Sequence, residues 1–258
     1  MTTSPMPVGF VSHGEPTLAL DPARGKDLTR WAAAMPRPRA VLVVSSRWLA
    51  APPTLGTRTQ RDLLYDFHGF PAELYRVRYA APAAAALAAD LEHLLPHLRK
   101  DDQRPWDHGV WVPLVHMYPA ADVPVLQLSL PHAWSPRQLF ELGRQLAPVR
   151  REGVLLLASG GAVHNPGRLD WSGKPRRPPA WATSFEDWLR RRLVSSAVDD
   201  IVAFREKAPD LALAHPTHEH FLPLLVALGA AVQHRGGVMF PITGFDLGAL
   251  SRLAVQFG

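Results

Sequence analysis

Histidine is the residue type with which this sequence could most readily do chemistry. The chain contains 12 histidines and no cysteine. Imidazole is the commonest protein ligand for iron, zinc and copper, and it exchanges a proton near neutral pH. The absence of cysteine excludes disulfides, thiolate metal sites and cysteine nucleophiles. The composition therefore points to a site built from imidazoles.

Several histidines follow apolar runs that are typical of buried strands. Such runs predict strands at Val8–Ser12, Ala40–Ser45, Val123–Ser129 and Val154–Ala158. Three of the runs lead to His13, His132 and His164, whereas the second leads to Arg47, where a histidine would fit the pattern. The two glycines before His164 are expected to let the backbone turn freely. Ligands bind outside the carboxyl ends of the strands in an open parallel sheet, so these runs predict a site at that edge.

Further histidines stand in segments that the sequence marks as loops. His108 lies in the tripeptide DHG, in which Asp107 or a backbone carbonyl could fix its tautomer. His215, His218 and His220 crowd into AHPTHEHFLP. Each of these histidines alone is interpreted most simply as a hydrogen-bonded histidine of the core or as a histidine of the surface. Taken together, histidines flanked by glycine and proline favour a common site.

The remaining motifs are weaker. His93 and His97 are spaced to chelate a metal on an unbroken helix, but Pro96 lies between them, so they are predicted, with His234, to be structural or exposed. The sequence contains no G-x-S-x-G elbow, no G-x-G-x-x-G and no P-loop. It therefore indicates neither a serine hydrolase of that type nor a nucleotide cofactor.

Charge and hydropathy exclude further partners. The net charge is +5, but the basic residues are scattered rather than interleaved with aromatic residues, so we expect no nucleic-acid partner. No apolar run reaches about 18 residues, and the first residues lack the pattern of a signal peptide. We therefore expect no membrane partner and a cytoplasmic protein.

Predicted helices alternate with the predicted strands along most of the chain. The helices are expected at Lys26–Met35, Pro82–Leu95, Val110–Tyr118, Pro136–Arg151, Ala182–Leu193, Asp199–Glu206 and Glu219–Ala230. Further strands are expected at Thr54–Thr57, Val238–Phe240 and Ala249–Phe257. This alternation predicts the α/β class and a single catalytic domain over residues 1–258. We expect three layers, with a mostly parallel or mixed central sheet flanked by helices and the site at the carboxyl ends of the strands.

The motifs, taken in order, resemble those of one family. SHGEPTLAL, VSSRW, YDFHGFPAELY, WDHGVWVPLVHMYP, VPVLQLSL, SGGAVHN and HPTHEHFLPLLVALGAA follow the order found in the class III, LigB-type extradiol ring-cleavage dioxygenases, and are most similar to the DOPA 4,5-dioxygenase-like branch. No single motif is specific, but the joint match is, and it spans nearly the whole chain. The resemblance implies non-haem Fe(II), sometimes replaced by Zn(II) in isolated proteins. It also implies a catechol-type substrate and O₂, and it leaves a homo-oligomer open.

The resemblance also implies roles for individual histidines. By position, His13 and His220 match metal ligands of the family. His164, in the VHN motif, matches a histidine beside the metal that serves as acid and base or as a further ligand. His108, in the DHG motif, matches one that faces the substrate and oxygen. The implied metal set is therefore His13, His220 and His164, and the implied catalytic residues are His164 and His108.

One position departs from the pattern of the family. The remaining family ligand is the histidine of an S-A-H-W motif, which here reads SSRW and contains Arg47. A guanidinium stays protonated and has no lone pair to offer, so Arg47 cannot ligate a metal. His68 and His218 are unusual within their own motifs and are candidate replacement ligands. A guanidinium binds carboxylates bidentately, so Arg47, with His108, is a candidate substrate-binding residue.

Three functions follow from this set of residues. The first, which we favour, is a metal-dependent extradiol dioxygenase in which His164 takes and returns the catechol proton and His108 stabilises the bound oxygen species. The second is an altered or inactive family member that binds a small anionic or phenolic ligand through Arg47. The third is a zinc-dependent hydrolase or lyase on the same scaffold, for which three histidines and a water suffice.

Overall fold

The strands come from a computed structural model that describes residues 4–59, 62–172, 174, 176–232 and 237–258. They are β1 (Val8–Ser12), β2 (Ala40–Leu49), β3 (Thr54–Leu55), β4 (Arg99–Lys100), β5 (Val125–Leu130), β6 (Val154–Gly160), β7 (Val238–Ile242), β8 (Phe245–Asp246), β9 (Leu250–Ser251) and β10 (Ala254–Phe257). Across the described ranges, eight strands form one sheet in the order β4-β3-β5-β2-β6-β1-β10-β7, and β8 pairs with β9.

The centre of the sheet is parallel, and the strands that border this centre on each side are antiparallel to it. β1 and β2 both run parallel to β6, and β5 runs parallel to β2. β10 is antiparallel to β1, β7 to β10, and β3 to β5. The prediction of a mostly parallel or mixed sheet is confirmed. The parallel centre brings the carboxyl ends of β1, β2, β5 and β6 to one edge.

The central strands are continuous apolar runs because both of their faces are covered. β1, β5 and β6 are buried over their whole length. Successive side chains of a strand point to opposite faces, so Leu42 and Val44 join one core while Val41 and Val43 join the other. The sheet is therefore the middle one of three layers.

The helices supply the two outer layers. They are α1 (Pro22–Ala34), α2 (Ala85–Leu94), α3 (His108–Met117), α4 (Pro136–Leu146), α5 (Ala180–Val194), α6 (Val198–Val202), α7 (Phe204–Lys207), α8 (Leu211–Ala214) and α9 (Leu222–Ala231). Trp31 of α1 and Trp111 of α3 pack into one core. Leu87 of α2, Leu139 of α4 and Leu225 of α9 pack into the other. The predicted α/β class and three layers are confirmed.

Several boundaries differ from the prediction for local reasons. The helix expected to run from Pro136 to Arg151 leaves α-geometry after Leu146, because Pro148 has no N–H to donate, and a 3₁₀ turn spans Ala147–Glu152. Ser135 is the N-cap of this helix and forms a capping box with Gln138. The expected last strand is divided into β9 and β10.

No helix in the part of the chain that the structure describes combines the length and the apolar character needed to cross a membrane.

Candidate active site

Four histidine rings come together at the carboxyl edge of the sheet. The ring centroid of His13 lies 5.2 Å from that of His108 and 5.5 Å from that of His220. The ring of His164 stacks on that of His220, with 3.5 Å between centroids. These four residues are called the histidine cluster below. The sequence motifs had singled out all four of them.

Each ring of the cluster is placed by the end of a regular element. His13 directly follows β1, and its backbone N–H donates to the carbonyl of Gly160 at the end of β6 (3.0 Å). His164 follows β6, and His108 is the first residue of α3. The helix predicted to begin at Glu219 begins at Leu222, so His220 lies in the turn before α9. Strand ends and helix starts therefore fix the four backbones relative to one another.

The glycine pair Gly160-Gly161 at the end of β6 permits a close approach of two backbone segments. A Cβ on Gly160 would overlap the carbonyl oxygen of His220. The N–H of Gly161 donates to that same carbonyl at 2.9 Å. Neither glycine has a positive φ, so the expectation of a free turn is wrong. The missing side chains instead let the turn that carries His220 dock on the end of β6.

The tautomer of His13 is set by a chain of two hydrogen bonds. Ser159 Oγ donates its proton to the carbonyl of Gly109 (2.5 Å). The same oxygen must therefore accept a hydrogen bond from His13 Nδ1, which lies 3.0 Å away. His13 is consequently protonated on Nδ1, and its Nε2 carries a free lone pair. Burial, followed by the charges of the neighbouring imidazoles, lowers the pKa of His13 well below its usual value and keeps the ring neutral.

His220 is held in the same tautomer by a carboxylate. Its Nδ1 donates to Glu219 Oε1 (3.1 Å), which also accepts a hydrogen bond from the hydroxyl of Thr217 (2.9 Å). The hydrogen bond from His220 lowers the pKa of Glu219 to about 2, so Glu219 is ionised. Burial lowers the pKa of His220, although Glu219 works in the opposite direction. Carboxylate–histidine pairs of this kind are typical behind imidazoles that bind metals.

Asp66 joins His108 to Arg47. Its Oδ1 accepts hydrogen bonds from Nδ1 (2.8 Å) and the backbone N–H (3.1 Å) of His108. Its Oδ2 accepts one from Nε of Arg47 (2.9 Å). Burial alone would raise the pKa of Asp66, but the hydrogen bond and charge of His108 and the hydrogen bond of Arg47 hold it well below its usual range. The carboxylate is therefore ionised and shared between the two side chains.

Arg47 lies where β2 leaves its regular register. The pairing of β2 with β5 shifts between Ser45 and Leu49. The N–H of Arg47 donates to Ser45 Oγ (3.2 Å), and the Arg47 carbonyl accepts a hydrogen bond from Nη2 of Arg104 (3.3 Å). Ser45 in turn donates to the buried carboxyl of Asp107 (2.7 Å). This network fixes the backbone of Arg47 and leaves its side chain 33% exposed beside the cluster.

His164 differs from the other three rings. Its backbone N–H donates to the carbonyl of Ala214 (3.0 Å), which places the ring over His220. The two ring planes are only 11° apart. Burial, followed by the charges of His220 and His215, lowers the pKa of His164 to about 2. His164 is therefore neutral in the resting site.

The imidazoles of the cluster are ligands of the type that binds divalent metals, but they are not arranged as a group of three ligands around one ion. Within the described ranges, no group of three or more His, Cys, Asp or Glu side chains could hold a metal ion. His13 and His220 are neutral and buried, and their Nδ1 atoms are engaged, so each offers Nε2 as a ligand. The lone pair with which an imidazole binds a metal lies in the plane of its ring. The stacked rings of His164 and His220 therefore do not both direct a lone pair at one metal ion. The two imidazoles would hold a metal whose other positions are left to small molecules, and the role of His164 as a ligand stays a prediction.

The candidate replacement ligands lie away from this site. His68 is exposed, and in the described structure no hydrogen bond or ring contact joins it to the cluster. His218 packs edge-on against Phe204, with 5.2 Å between centroids. His132 is also exposed, because β5 ends one strand away from the cluster. The roles of His68 and His218 as ligands stay predictions without support from this arrangement.

The remaining histidines are structural or exposed. His215 is buried, and its Nε2 donates to the carbonyl of Ala162 (2.9 Å). His116 lies under α1, with Nε2 against the carbonyl of Leu18 (2.8 Å). His93 and His97 are exposed, as predicted. His234 lies outside the described residues.

An aromatic wall, which the sequence did not reveal as part of the site, borders His108. Phe67 lies edge-on to His108, with 5.7 Å between centroids, and it also contacts Phe70 and Tyr75. Phe70 contacts Trp171, whose side chain is largely exposed. The signal was present in the run YDFHGFPAELY, where aromatic residues surround Asp66, but it did not say which way they face.

Comparison with known proteins gives one consistent result. Residues 21–244 match the family described as the catalytic LigB subunit of aromatic ring-opening dioxygenase. A Beta vulgaris protein named 4,5-DOPA dioxygenase extradiol is 39% identical over 234 residues, which cover 87% of each chain. An Escherichia coli (strain K12) protein of the same name is 37% identical over 269 residues and covers 100% of this chain and 97% of its own.

A solved structure has the same fold. The crystal structure of an uncharacterized protein from Escherichia coli K12 superposes with a TM-score of 0.80 at 34% sequence identity. The match covers 98% of this chain and 100% of the other. The resemblance of the sequence motifs to the LigB-type dioxygenases is therefore confirmed at the level of the whole fold.

Proposed function

Because this chain belongs to the LigB family of aromatic ring-opening dioxygenases and has the enzyme class of an extradiol ring-cleavage dioxygenase, we propose that it opens a catechol-type aromatic with O₂ at the histidine cluster. The proposed cofactor is non-haem Fe(II), which Zn(II) can replace in the isolated protein. The family assignment supports an aromatic substrate and O₂. The proposal adds two points to the family assignment, namely that the substrate is of the catechol type and that the enzyme uses a metal.

One observation carries the proposal: three imidazoles of the cluster have their Nδ1 atoms engaged. His13 donates to Ser159, His220 to Glu219 and His108 to Asp66. In all three rings Nε2 is left for a ligand. This pattern is typical of histidines that bind metals, since the second hydrogen bond fixes the tautomer and orients the ring. His13 and His220 are the proposed metal ligands.

His164 is the proposed acid and base. A bound Fe(II) supplies the electron transfer through which O₂ reacts with an aromatic ring. The neutral ring of His164 accepts the proton of a phenolic hydroxyl as the substrate binds. His164 later returns this proton to the product, a role that needs an imidazole that is neutral near pH 7.

His108 and its aromatic neighbours are proposed to bind the reacting molecules. The Asp66 carboxylate accepts a hydrogen bond from Nδ1 of His108 and so orients the ring towards the substrate and O₂. Phe67 packs beside His108 and offers an apolar face to the substrate ring. The same face excludes water from the site.

The test is anaerobic reconstitution with Fe(II), followed by measurement of O₂ uptake with a panel of catechols. We expect uptake that depends on the catechol and is lost in His220→Ala. Stoichiometric uptake with loss of the aromatic ring would support the proposal. Binding of a carboxylated phenol without O₂ uptake would favour the use of Arg47 as an anion anchor. Hydrolysis with Zn(II) and no uptake would favour the hydrolase alternative.

A further inference from the structure

We propose that Asp66 holds the guanidinium of Arg47 in a fixed position beside the histidine cluster, and that this restraint allows the cluster to accept a divalent metal. The inference rests on the proposed function, because it concerns the same site. Asp66 is thereby a positioning residue. It acts through Arg47 and does not itself contact the metal or the substrate.

The need for such a residue follows from the position of Arg47. Its positive charge is felt at His13, His164 and His220, where it disfavours the protonated rings. A divalent cation bound by the same imidazoles would meet the same repulsion. A guanidinium that moved closer to the cluster would therefore compete with a metal ion for this space.

The geometry shows how Asp66 restrains this side chain. Nε of Arg47 donates to Asp66 Oδ2 (2.9 Å), and Nη2 donates to the Asp66 carbonyl (3.4 Å). The backbone of Arg47 is fixed by Ser45 and Arg104, so only its side chain is free to change position. Asp66 is fixed independently by two hydrogen bonds from His108. The fixed carboxylate of Asp66 thus sets the direction of the long and flexible side chain of Arg47.

A positioning role can be distinguished from a simple charge effect. If Asp66 were only one more negative charge, its loss would weaken metal binding equally whether residue 47 is charged or not, because Coulomb energies at fixed positions add. If Asp66 restrains the guanidinium, its loss is harmful only while Arg47 is present. A double-mutant cycle measures this difference.

The cycle consists of the wild type, Asp66→Asn, Arg47→Gln and the double variant. Affinities for Zn(II) and Co(II) alone are measured by competition with a chromophoric chelator, without substrate. Thermal unfolding of each metal-free variant reports whether it is folded. Asp62→Asn is the matched control, because Asp62 is an exposed acid of the same loop and no contact with Arg47 is found in the described structure.

We expect Asp66→Asn to lower metal affinity by about tenfold or more, and to change it by less than about threefold when residue 47 is glutamine. Equal losses in both backgrounds, or an equal loss in Asp62→Asn, would overturn the inference and leave the proposed function intact. Metal binding by Arg47→Gln but not by the wild type would also overturn only the inference. If no variant binds a metal, the proposed metal site fails as well.

Discussion

The imidazole rings of His164 and His220 lie face to face, with 3.5 Å between their centroids and 11° between their planes. This contact separates two roles that the sequence motifs left combined. Nδ1 of His220 is engaged by Glu219, so its Nε2 is left free, whereas the lone pair of His164 lies in a parallel plane. The stack therefore favours His220 as a metal ligand and His164 as the group that handles the proton.

The first prediction tests this division. His220→Ala should abolish stoichiometric binding of Fe(II) or Zn(II). His164→Phe keeps a flat ring against His220 and should bind the metal within a few-fold of the wild type, while kcat falls by about 10²–10⁴-fold, as expected for a lost acid and base. Metal affinity and turnover are measured on the same preparations. A loss of metal in His164→Phe as complete as that in His220→Ala would show that His164 ligates.

A second prediction concerns the hydrogen bond behind His13. Ser159→Ala removes the acceptor of His13 Nδ1–H, so the ring is free to rotate and to change tautomer. Partners of this kind typically contribute about 10–100-fold to metal affinity, and we expect a loss of that size.

The control for Ser159 is another buried strand serine. Ser129 on β5 is hydrogen-bonded to the carbonyl of Ala50 and to the N–H of Thr54, and it does not contact the cluster. Ser129→Ala should lower stability without changing metal affinity. If both alanine variants weaken metal binding equally, the effect comes from general destabilisation and not from the orientation of His13.

Local sequence patterns predicted the scaffold of the site better than its hydrogen-bond partners. The runs that became β1, β2 and β6 are apolar along both faces, so their burial and their approximate ends could be predicted. The partner of His13 could not be predicted, because Ser159 is 146 residues away and no local pattern links the two. Asp66 and His108 are likewise 42 residues apart. Such pairs depend on which strands lie side by side, and this is decided by tertiary packing.

The same reason explains why the sequence could not show where the candidate replacement ligands lie. His68 and His218 stand in the right motifs, but a motif does not say which way a side chain points. The turn before α9 directs His220 inward and leaves His218 against Phe204. Sequence spacing alone could not distinguish the two.

A third prediction concerns acid stability. The unfolded chain binds a proton at His215 with a pKa near 6.5, whereas burial lowers the pKa of His215 to about 3 in the folded protein. Between these values the unfolded state binds more protons, so stability is complete above about pH 6.5 and decreases as the pH falls. At pH 5 this one residue should lower the free energy of unfolding by about 2 kcal/mol.

His215→Gln tests this sign. The glutamine amide can still donate to the carbonyl of Ala162 but does not titrate. The slope of the free energy of unfolding against pH, between pH 7 and 5, should therefore fall by the equivalent of about one bound proton. Urea unfolding at several pH values measures the slope. The slope of the wild type, measured in the same buffers, is the reference. An unaltered slope in His215→Gln would mean that another group dominates the acid response.

The last prediction concerns the contact between α4 and α9. A Cβ on Gly143 would overlap the carbonyl oxygen of Val226, and a Cβ on Gly229 would overlap that of Phe140. Both obstacles are helix backbone, which cannot move aside as a side chain can. Gly229→Ala should therefore cost about 3 kcal/mol or more, at the upper end for overpacking, and lower the melting temperature by at least about 6 °C.

Gly237→Ala is the matched control, because a Cβ there meets none of the described residues within 4 Å. It should change the melting temperature by little. α9 follows the turn that holds His220, so a forced separation of α4 and α9 should also weaken metal binding in Gly229→Ala, but not in Gly237→Ala. A Gly229→Ala variant as stable as the wild type would mean that the two helices can separate without loss, and would contradict the close packing that anchors this side of the site.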